Sequence, residues 1–424
     1  MTHAVKIDRP ALWVDGVGAS PYCALPVLDD ATFEKVRLAT IFDCCKWDPQ
    51  VEDVGTLAPF ALLLKRSAWR ELAECAGQLA RETAAMERAI LTRPEMLKCL
   101  ALPRCIRRVL RKQRGPAVAM ARLIRFDFHW TTEGWRLSEA NTDVPGGMVE
   151  ASGFSRVMAR RYRGTALAAD PVAMYVEAIC RSVPRGGHVA LVHASGYVDD
   201  VQVMQFVANY LAERDRVCHL VNPAQVVFAG GRAQLVGGAR EEIDGIVRFY
   251  PAEWLPALGR KALWTPYFCD AGIPQSNPAT ALVTQSKRLP LIWDALGVDA
   301  PTWRALLPET RAVGDVAWRS DRNWVIKPAL GRVGDGILLQ EVTASDEARV
   351  IARAARWFPG QFVAQRRFSA VPLDTPQGRR YPCLGVYTVD GEAAGIYGRL
   401  SVLPLVNHLA TDVPVLVPTD DFLE

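Results

Sequence analysis

Apolar and polar residues alternate with two different periods along this chain, so the sequence predicts both helices and strands. Residues 67–92 carry apolar side chains at helical spacing, which predicts a helix that has Ser67 as its N-cap and ends before Pro94. From about residue 118 to residue 141 the period changes to two, which is typical of strands. A helical region followed by a β-hairpin is therefore expected in the first third of the chain.

The middle of the chain alternates between strand and helix patterns. Residues 187–193 and 216–221 predict buried strands, and the amphipathic segment 201–214 between them predicts a helix. Residues 226–236 predict a hairpin that turns at two adjacent glycines, and residues 244–250 predict a further strand. This order is typical of a mainly parallel sheet with helices packed on it.

The last third of the chain mixes short strands and helices. Residues 323–342 predict a strand, a glycine loop and a second strand, residues 362–368 predict a strand, and residues 383–401 predict a hairpin. We therefore predict an α/β fold with α+β elements, and linkers near residues 163–170 and 266–278. The predicted regions are 1–165, with helices and the hairpin, 166–284, with the parallel sheet, and 285–424.

Composition and charge narrow the class of protein. The 50 Lys and Arg residues exceed the 46 Asp and Glu residues by only four, too few to indicate nucleic acid or an anionic membrane as the main partner. The first residues, MTHAVKIDRPALW, lack the apolar stretch of a signal peptide, and no apolar run reaches the length of a membrane span. We therefore expect a cytoplasmic protein. Its ten cysteines are scattered, which predicts reduced thiols, although the adjacent Cys44 and Cys45 leave a redox or metal role open.

The segment RFDFHWTTEGWRLSEAN, residues 125–141, carries the first candidate chemistry. If its two arms pair with Asp127 opposite Glu139, then Arg125 lies opposite Asn141. All four polar side chains then share one face of the hairpin, and the aromatic residues of the first arm share the other.

The register of this hairpin can be checked near its turn. The register described above places Trp130 opposite Arg136, whereas a shift of one residue pairs Trp130 with Trp135. The shifted register also moves the two carboxylates to opposite faces. We prefer the first register because it keeps the polar residues together.

Two carboxylates that face each other across a strand pair repel, and a hard divalent cation removes that repulsion. The oxygens of Asp127, Glu139 and Asn141 are ligands of the kind that Mg²⁺ accepts, and Arg125 lies where it can meet a phosphate held by the metal. Two alternatives remain open at this point. The face is solvated and the carboxylates never meet, or they form the carboxylate pair of a glycoside hydrolase. The second alternative explains neither Asn141 nor Lys327.

The loop ALGRVGDG, residues 329–336, carries the second candidate chemistry. It lacks the P-loop signature, and it joins two predicted strands, so it is not a dinucleotide fingerprint either. Three glycines still allow its backbone N–H groups to approach phosphates, with Lys327 and Arg332 as fixed positive charges. The alternative is a tight turn with surface charges.

Together these motifs resemble a known family. RFDF and EAN, followed by WVIKPALGRVGDGI, VAQRRF and GIYGRLS, are similar to the glutathionylspermidine synthetase family of ATP-grasp ligases, and the resemblance covers most of the chain, roughly residues 46–417. The resemblance implies an ATP-grasp-like fold, with a pre-ATP-grasp domain in residues 166–284 and a nucleotide-binding portion in residues 285–424. It also implies ATP and Mg²⁺ as cofactors. By resemblance, the metal ligands are Asp127, Glu139 and Asn141, the nucleotide-binding residues are Lys287, Lys327, Gly331, Gly334, Gly336 and Gln365, and the catalytic residues are Arg125, Arg332 and Arg399.

Three departures from the family pattern concern the acceptor side of the site. Leu400 stands where the family usually has a glutamate, residues 407–415 read NHLATDVPV in place of S-R-F-x-P-H, and no amidase domain precedes the matching region. We therefore expect a carboxylate–amine ligase that acts through an acyl phosphate on a small peptide-like or amino-acid-like carboxylate and an amine, but not on glutathione and spermidine specifically. The alternatives are an ATP-grasp phosphotransferase that forms no amide and a non-catalytic nucleotide-binding module. The sequence indicates no oligomeric state.

Overall fold

Helices and strands alternate along the chain in the computed structural model. The structure describes residues 20–51, 53–112, 120–236, 241–259, 262–269, 272–332 and 334–420. The N-terminal segment discussed above, up to residue 19, lies outside these ranges. A π-helical turn covers Val149–Phe154. The α-helices of the described ranges are α1 (Asp30–Phe42), α2 (Arg66–Leu91), α3 (Arg104–Leu110), α4 (Ser155–Ala159), α5 (Pro171–Ser182), α6 (Val198–Ala212), α7 (Leu282–Gln285), α8 (Trp293–Leu296), α9 (Pro301–Leu306) and α10 (Ser345–Trp357).

Strands form several separate sheets between these helices. In chain order they are β1 (Tyr22–Ala24), β2 (Gln50–Val51), β3 (Val54–Gly55), β4 (Leu62–Leu64), β5 (Leu123–Thr131), β6 (Gly134–Asn141), β7 (Thr165–Leu167), β8 (His188–Val192), β9 (Val217–Val221), β10 (Val226–Ala229), β11 (Arg232–Leu235), β12 (Glu242–Ile243), β13 (Gly245–Arg248), β14 (Gln275–Ser276), β15 (Thr310–Ala312), β16 (Trp324–Pro328), β17 (Phe362–Arg366), β18 (Leu373–Thr375), β19 (Gly378–Val389), β20 (Glu392–Ser401), β21 (Thr411–Val413) and β22 (Val415–Pro418).

The parallel sheet predicted for the middle of the chain is present. Its order is β14-β13-β8-β9, and all neighbouring strands run parallel. The central strands are buried on both faces, as continuous apolar runs such as HVALV require, and α5 and α6 pack against one another beside them. The predicted hairpin of β10 and β11 is also present, with both turn glycines at positive φ.

A larger antiparallel sheet carries the hairpin that holds the two carboxylates. Its order is β21-β20-β19-β5-β6, with β18 paired to β19. The turn between β19 and β20 lies at Asp390-Gly391, as predicted. Because β5 pairs with β19, one sheet combines strands from the predicted regions 1–165 and 285–424. The boundaries near residues 165 and 284 remain predictions.

A three-stranded antiparallel sheet, β15-β17-β16, carries Lys327 and Gln365, and α10 covers its apolar face.

Two predictions about secondary structure were wrong. The second strand of residues 323–342 reduces to a single bridge between Ile326 and Leu338. Helix α2 begins one residue before Ser67, and its N-cap is Lys65, which makes no side-chain capping bond.

The two segments predicted as linkers each contain a short strand. β7 lies within residues 163–170 and forms the edge of a mixed sheet, β1-β4-β22-β7, while β14 lies within residues 266–278. None of the ten cysteines, all of which lie in the described ranges, forms a disulfide, and Cys44 and Cys45 are both buried. None of the helices in the described ranges is long and apolar enough to cross a membrane.

Candidate active site

The hairpin of β5 and β6 combines the two registers that the sequence allowed. Asp127 lies opposite Glu139 and Arg125 opposite Asn141, as preferred. A β-bulge follows Asp127, and beyond it the pairing shifts by one residue. The extra residue is Ser138, whose hydroxyl donates to the Asp127 carbonyl at 3.2 Å. The bulge therefore keeps the carboxylates on one face.

The turn end of the hairpin follows the register that we did not prefer. Trp130 pairs with Trp135, and their ring centroids lie 5.1 Å apart. The predicted pairing of Trp130 with Arg136 is wrong, since His129 occupies the place opposite Arg136. The packing of two aromatic rings stabilises this register near the turn, whereas the polar contacts described next stabilise the other one.

Arg125 neutralises Asp127 in a buried, bidentate ion pair. Its Nε and Nη2 donate to the two carboxylate oxygens at 2.7 and 2.9 Å, and Nη1 donates to the Gly146 carbonyl at 2.6 Å. Asn141 Nδ2 donates to Asp127 Oδ2 at 3.1 Å. A Cβ on Gly385, which pairs with Asp127 from β19, would lie 2.7 Å from Arg125 Cδ and 3.0 Å from Asp127 Oδ1. The ion pair thus requires a glycine beside it.

Glu139 interacts with the two lysines expected to bind nucleotide. Lys287 Nζ lies 3.0 Å from Glu139 Oε2 and also donates to the Gly331 carbonyl at 2.9 Å. Burial alone would raise the pKa of Glu139, but the charges of Lys287 and Lys327 hold it at about 2. Glu139 is therefore a carboxylate at every physiological pH.

Lys327 is buried on β16 with few polar partners. Its Nζ donates to Gln365 Oε1 at 2.7 Å and to the carbonyl of the bulge residue Ser138 at 3.2 Å. Burial and the neighbouring Lys287 lower the pKa of Lys327 to about 8, although Glu139 opposes this shift. Because burial disfavours the charge of this ammonium group, an anionic ligand beside it would stabilise the charged form strongly.

The glycine loop is held close to the segment that precedes β21. A Cβ on Gly334, which has a φ of +76°, would lie 2.3 Å from the Val406 carbonyl oxygen. Gly331 makes room for Pro328 instead, since a Cβ there would lie 2.3 Å from Pro328 Cγ. Gly336 also has positive φ, at +67°. The glycines therefore serve close approach and turning of the backbone.

Arg332 projects from the glycine loop towards two acidic residues. Its Nη2 lies 2.7 Å from Glu253 Oε1 and 3.8 Å from Asp143 Oδ2, and its guanidinium stacks 5.1 Å from the Trp254 ring centroid. Asp143 itself forms a fully buried ion pair with Arg248. These contacts hold the loop arginine at the edge of the space above the hairpin.

A single cavity of about 620 Å³ brings most of the predicted residues together. Lys287, Gly331 and Gly336 are not part of its lining, and Lys287 approaches through its contact with Glu139. The predicted residues in the lining are Arg125, Asp127, Glu139, Asn141, Lys327, Arg332, Gly334, Gln365 and Arg399.

Comparisons with known proteins identify the family of this chain. A family model described as glutathionylspermidine synthase preATP-grasp matches residues 61–418. The chain belongs to the glutathionylspermidine synthase family. No curated protein sequence matches it significantly.

A solved structure shares the fold of this chain. A glutathione synthetase-like effector from Globodera pallida, in its apo form, superposes with a TM-score of 0.62 at 10% identity, covering 94% of this chain and 98% of that one. Weaker likenesses extend to a putative γ-glutamylcysteine synthetase from Methylobacillus flagellatus (TM-score 0.39, 11% identity, 77% and 84% covered) and to a D-alanyl-alanine synthetase A from Vibrio cholerae (TM-score 0.33, 14% identity, 51% and 68% covered). The first comparison shows an ATP-grasp-related fold.

One departure from the glutathionylspermidine synthase pattern lies outside the cavity. Leu400 is buried in the main hydrophobic core, on the face of β20 opposite to its neighbour Arg399. The altered segment 407–415 does reach the cavity, where His408, Ala410 and Asp412 contribute to the lining. The altered segment therefore changes the cavity wall, whereas Leu400 changes the core behind it.

The structure adds an ionic cluster that sequence analysis missed. Lys46 Nζ lies 2.7 Å from Glu150 Oε1, and Tyr397 donates to Asp412 Oδ1 at 2.7 Å. Burial and the charge of Glu150 raise the pKa of Asp412 to about 6, although Lys46 opposes them. Beside the cluster, Arg399 Nε is buried without a hydrogen-bond partner in the described part of the chain. Lys46 and Asp412 lie in KWDPQ and ATDVPV, segments that mark the ends of the resemblance, and this was the available signal.

The residues of the hairpin fit a hard cation by their donor chemistry. Two carboxylates and one amide share a single face of the cavity wall, and each carboxylate is paired with a side-chain cation, Arg125 or Lys287. A divalent ion would neutralise the two carboxylates in place of these cations and would bind their oxygens. The Asn141 amide would add a third oxygen ligand if its oxygen turned towards the ion. His129, at 3.1 Å from the Ser138 hydroxyl, has its pKa lowered to about 4 by burial and by Lys327, so its imidazole is neutral.

Proposed function

We propose that this protein is an ATP-dependent carboxylate–amine ligase that forms an amide through an acyl phosphate. The observation that carries the proposal is that two sets of residues line one cavity. The first set is Asp127, Glu139 and Asn141 of the hairpin, and the second is Lys327 and Gln365 together with Arg332 and Gly334 of the glycine loop. Membership of the glutathionylspermidine synthase family supports the reaction class.

The nucleotide is proposed to lie between β16 and the hairpin. Lys327 and Lys287 supply positive charge for its phosphates, and the loop around Gly334 brings backbone N–H groups close to them. Gln365, on β17, accepts from Lys327 and so fixes the position of its ammonium group. Asp127, Glu139 and Asn141 would hold Mg²⁺, which neutralises phosphate charge when it is bound.

The transferred phosphoryl group requires positioning and charge neutralisation more than covalent help from the protein. An oxygen of the substrate carboxylate attacks the terminal phosphorus of ATP, the bond to ADP breaks, and an acyl phosphate results. Arg125 is the cation closest to the proposed metal ligands, and metal binding to Asp127 would free its guanidinium for the transferred group. Arg332 also lines the cavity and is a second cation for the transferred group.

An amine then attacks the acyl carbon, phosphate leaves, and an amide forms. The amine must lose a proton, and Asp412 is our candidate to accept it, because its carboxylate lines the cavity with a pKa of about 6. Arg399, which pairs with Asp412 between β20 and β21, also lines the cavity, and its guanidinium is our candidate to bind an anionic group of a substrate.

The distinguishing experiment follows oxygen from the substrate carboxylate. Purified protein is incubated with ATP, Mg²⁺, a panel of small amines, and ¹⁸O-labelled amino-acid and peptide carboxylates. The proposal predicts ADP formation together with ¹⁸O in the released phosphate and a new amide mass. ADP formation with a stable phosphorylated product would favour the phosphotransferase. Absence of ADP formation over background, with retained nucleotide binding, would favour a non-catalytic nucleotide-binding module.

A further inference from the structure

A second cluster of metal-ligating side chains lies at the other end of the parallel sheet. His188 Nδ1 and His219 Nε2 are 3.0 Å apart, and Glu241 Oε2 lies 3.9 Å from the first and 3.3 Å from the second. In the described ranges this is the only group of three or more His, Cys, Asp or Glu side chains whose ligand atoms lie within 4.8 Å of one another. The proposed reaction uses none of the three.

The sheet brings the two imidazoles together by register. His188 pairs with Val217, and Ala190 pairs with His219, so the histidines lie two positions apart on adjacent parallel strands. Side chains two positions apart point to the same face of a sheet. Glu241, the residue just before β12, completes the cluster. Its backbone carbonyl accepts a hydrogen bond from the N–H of Leu235, the last residue of β11, at 3.2 Å.

The three ligand atoms surround a point at the bond length of a metal. A triangle with sides of 3.0, 3.3 and 3.9 Å has a circumscribed radius of about 2.0 Å. Zinc binds histidine nitrogen and carboxylate oxygen at about 2.0–2.2 Å. One ion therefore reaches all three atoms with little movement of the side chains.

The donor set indicates a transition metal and not magnesium. Two imidazoles and one carboxylate suit zinc and its neighbours, whereas magnesium prefers oxygen ligands alone. Both imidazoles are half-buried and the Glu241 carboxylate is exposed, so a fourth position faces solvent and water. Known zinc sites of the open type also have three protein ligands and a fourth position that water or substrate occupies.

This cluster is remote from the cavity. His188 is the first residue of β8, and the strand extends roughly 13 Å from there to Val192. The cavity lies beyond the carboxyl end of the strand, where Tyr197 and Phe249 contribute to its lining.

We propose that His188, His219 and Glu241 form a binding site for a divalent transition metal, with zinc as the best-fitting ion. Bound metal would cross-link β8 and β9 to the connection that leads into β12.

Zinc binding to untagged, chelator-treated protein tests the proposal without any need for ATP turnover. Titration calorimetry with Zn²⁺ and metal analysis after gel filtration should show one tightly bound zinc per chain, in the presence of excess Mg²⁺. Glu241→Gln and His219→Gln should each weaken binding by more than about 10–100-fold, the loss typical of a mere outer-shell partner. Glu242→Gln is the matched control, since this neighbouring carboxylate pairs with Arg232 at 3.1 Å instead.

Thermal unfolding separates loss of a ligand from loss of the fold. Zn²⁺ should raise the melting temperature of the wild type and of Glu242→Gln, and should leave that of Glu241→Gln unchanged, because only a ligand that binds the native state stabilises it. Unfolding of the metal-free Glu241→Gln variant should match the metal-free wild type. The proposal is overturned if the wild type binds no zinc, or if both ligand variants bind zinc as the wild type does.

Discussion

Replacing Lys327 by arginine should abolish a proton uptake that accompanies nucleotide binding. The buried ammonium of Lys327 has a pKa of about 8 in place of the ordinary 10.5, because burial and Lys287 disfavour its charge. The phosphates of a nucleotide would supply the missing anionic partner and raise that pKa. Arginine keeps the positive charge but does not titrate in this range.

The magnitude follows from the pKa shift. At pH 8 about half of the Lys327 side chains of the free protein are neutral, so binding should take up about half a proton per nucleotide. A shift of this size corresponds to roughly 3 kcal/mol of differential free energy between the two protonation states. In the free protein, the lowered pKa of Lys327 also makes stability depend on pH. Between about pH 8 and pH 10.5 the unfolded chain holds a proton that the folded chain has lost, so the free energy of unfolding should rise with pH in this range.

Calorimetry measures the uptake directly. A non-hydrolysable ATP analogue with Mg²⁺ is titrated at pH 8 in two buffers of different ionisation enthalpy, and the difference in apparent binding enthalpy gives the protons exchanged. Lys327→Arg should bind the analogue with no uptake from this site, and Lys35→Arg, an exposed substitution on α1, should behave as the wild type. Uptake that persists in Lys327→Arg, or its absence from the wild type, would refute the assignment of Lys327 to the phosphates.

Three further changes test other parts of the cavity wall. Gly385→Ala should strongly lower ligase activity and should lower the free energy of unfolding by about 1–3 kcal/mol, because the added Cβ would lie 2.7 Å from Arg125 of the bidentate pair. Gly314→Ala, which has open space around it, should change neither the activity nor the thermal melt. Gly334→Ala should weaken nucleotide binding, measured by calorimetry, since it combines positive φ with a carbonyl at 2.3 Å; unchanged affinity would argue against the loop. Asp412→Asn should remove the fall in wild-type activity expected as pH drops through about 6, when this carboxyl gains its proton; an identical pH profile would eliminate it as the base.

Local pattern predicted those parts of the site that neighbouring residues determine. The period of two placed Arg125 and Asp127 on one face of β5, and Glu139 and Asn141 on one face of β6, because side chains alternate along a strand. The extra residue at Ser138 was not predictable. Both registers satisfied part of the pattern, and a bulge that satisfies both costs only a local change of backbone.

Contacts between distant segments were out of reach of periodicity. Gly385 lies beside Asp127 because β19 pairs with β5, and nothing in the alternation of either strand specifies its partner. The same holds for Arg332, whose acidic partner Glu253 belongs to a different region of the chain. The histidine cluster was missed for a related reason: His188 and His219 have no metal-ligand spacing in sequence, and only the parallel register makes them neighbours.

The most direct test of the proposed site is the position of a metal in the nucleotide complex. Crystals grown with Mn²⁺ in place of Mg²⁺ and a non-hydrolysable ATP analogue should show an anomalous density peak on the hairpin. The account predicts that peak at about 2.0–2.2 Å from oxygens of Asp127 and at least one of Glu139 and Asn141, with Arg125 released from its carboxylate partner. A nucleotide-bound structure whose metal lies elsewhere, with the Arg125–Asp127 and Lys287–Glu139 pairs still intact, would contradict it.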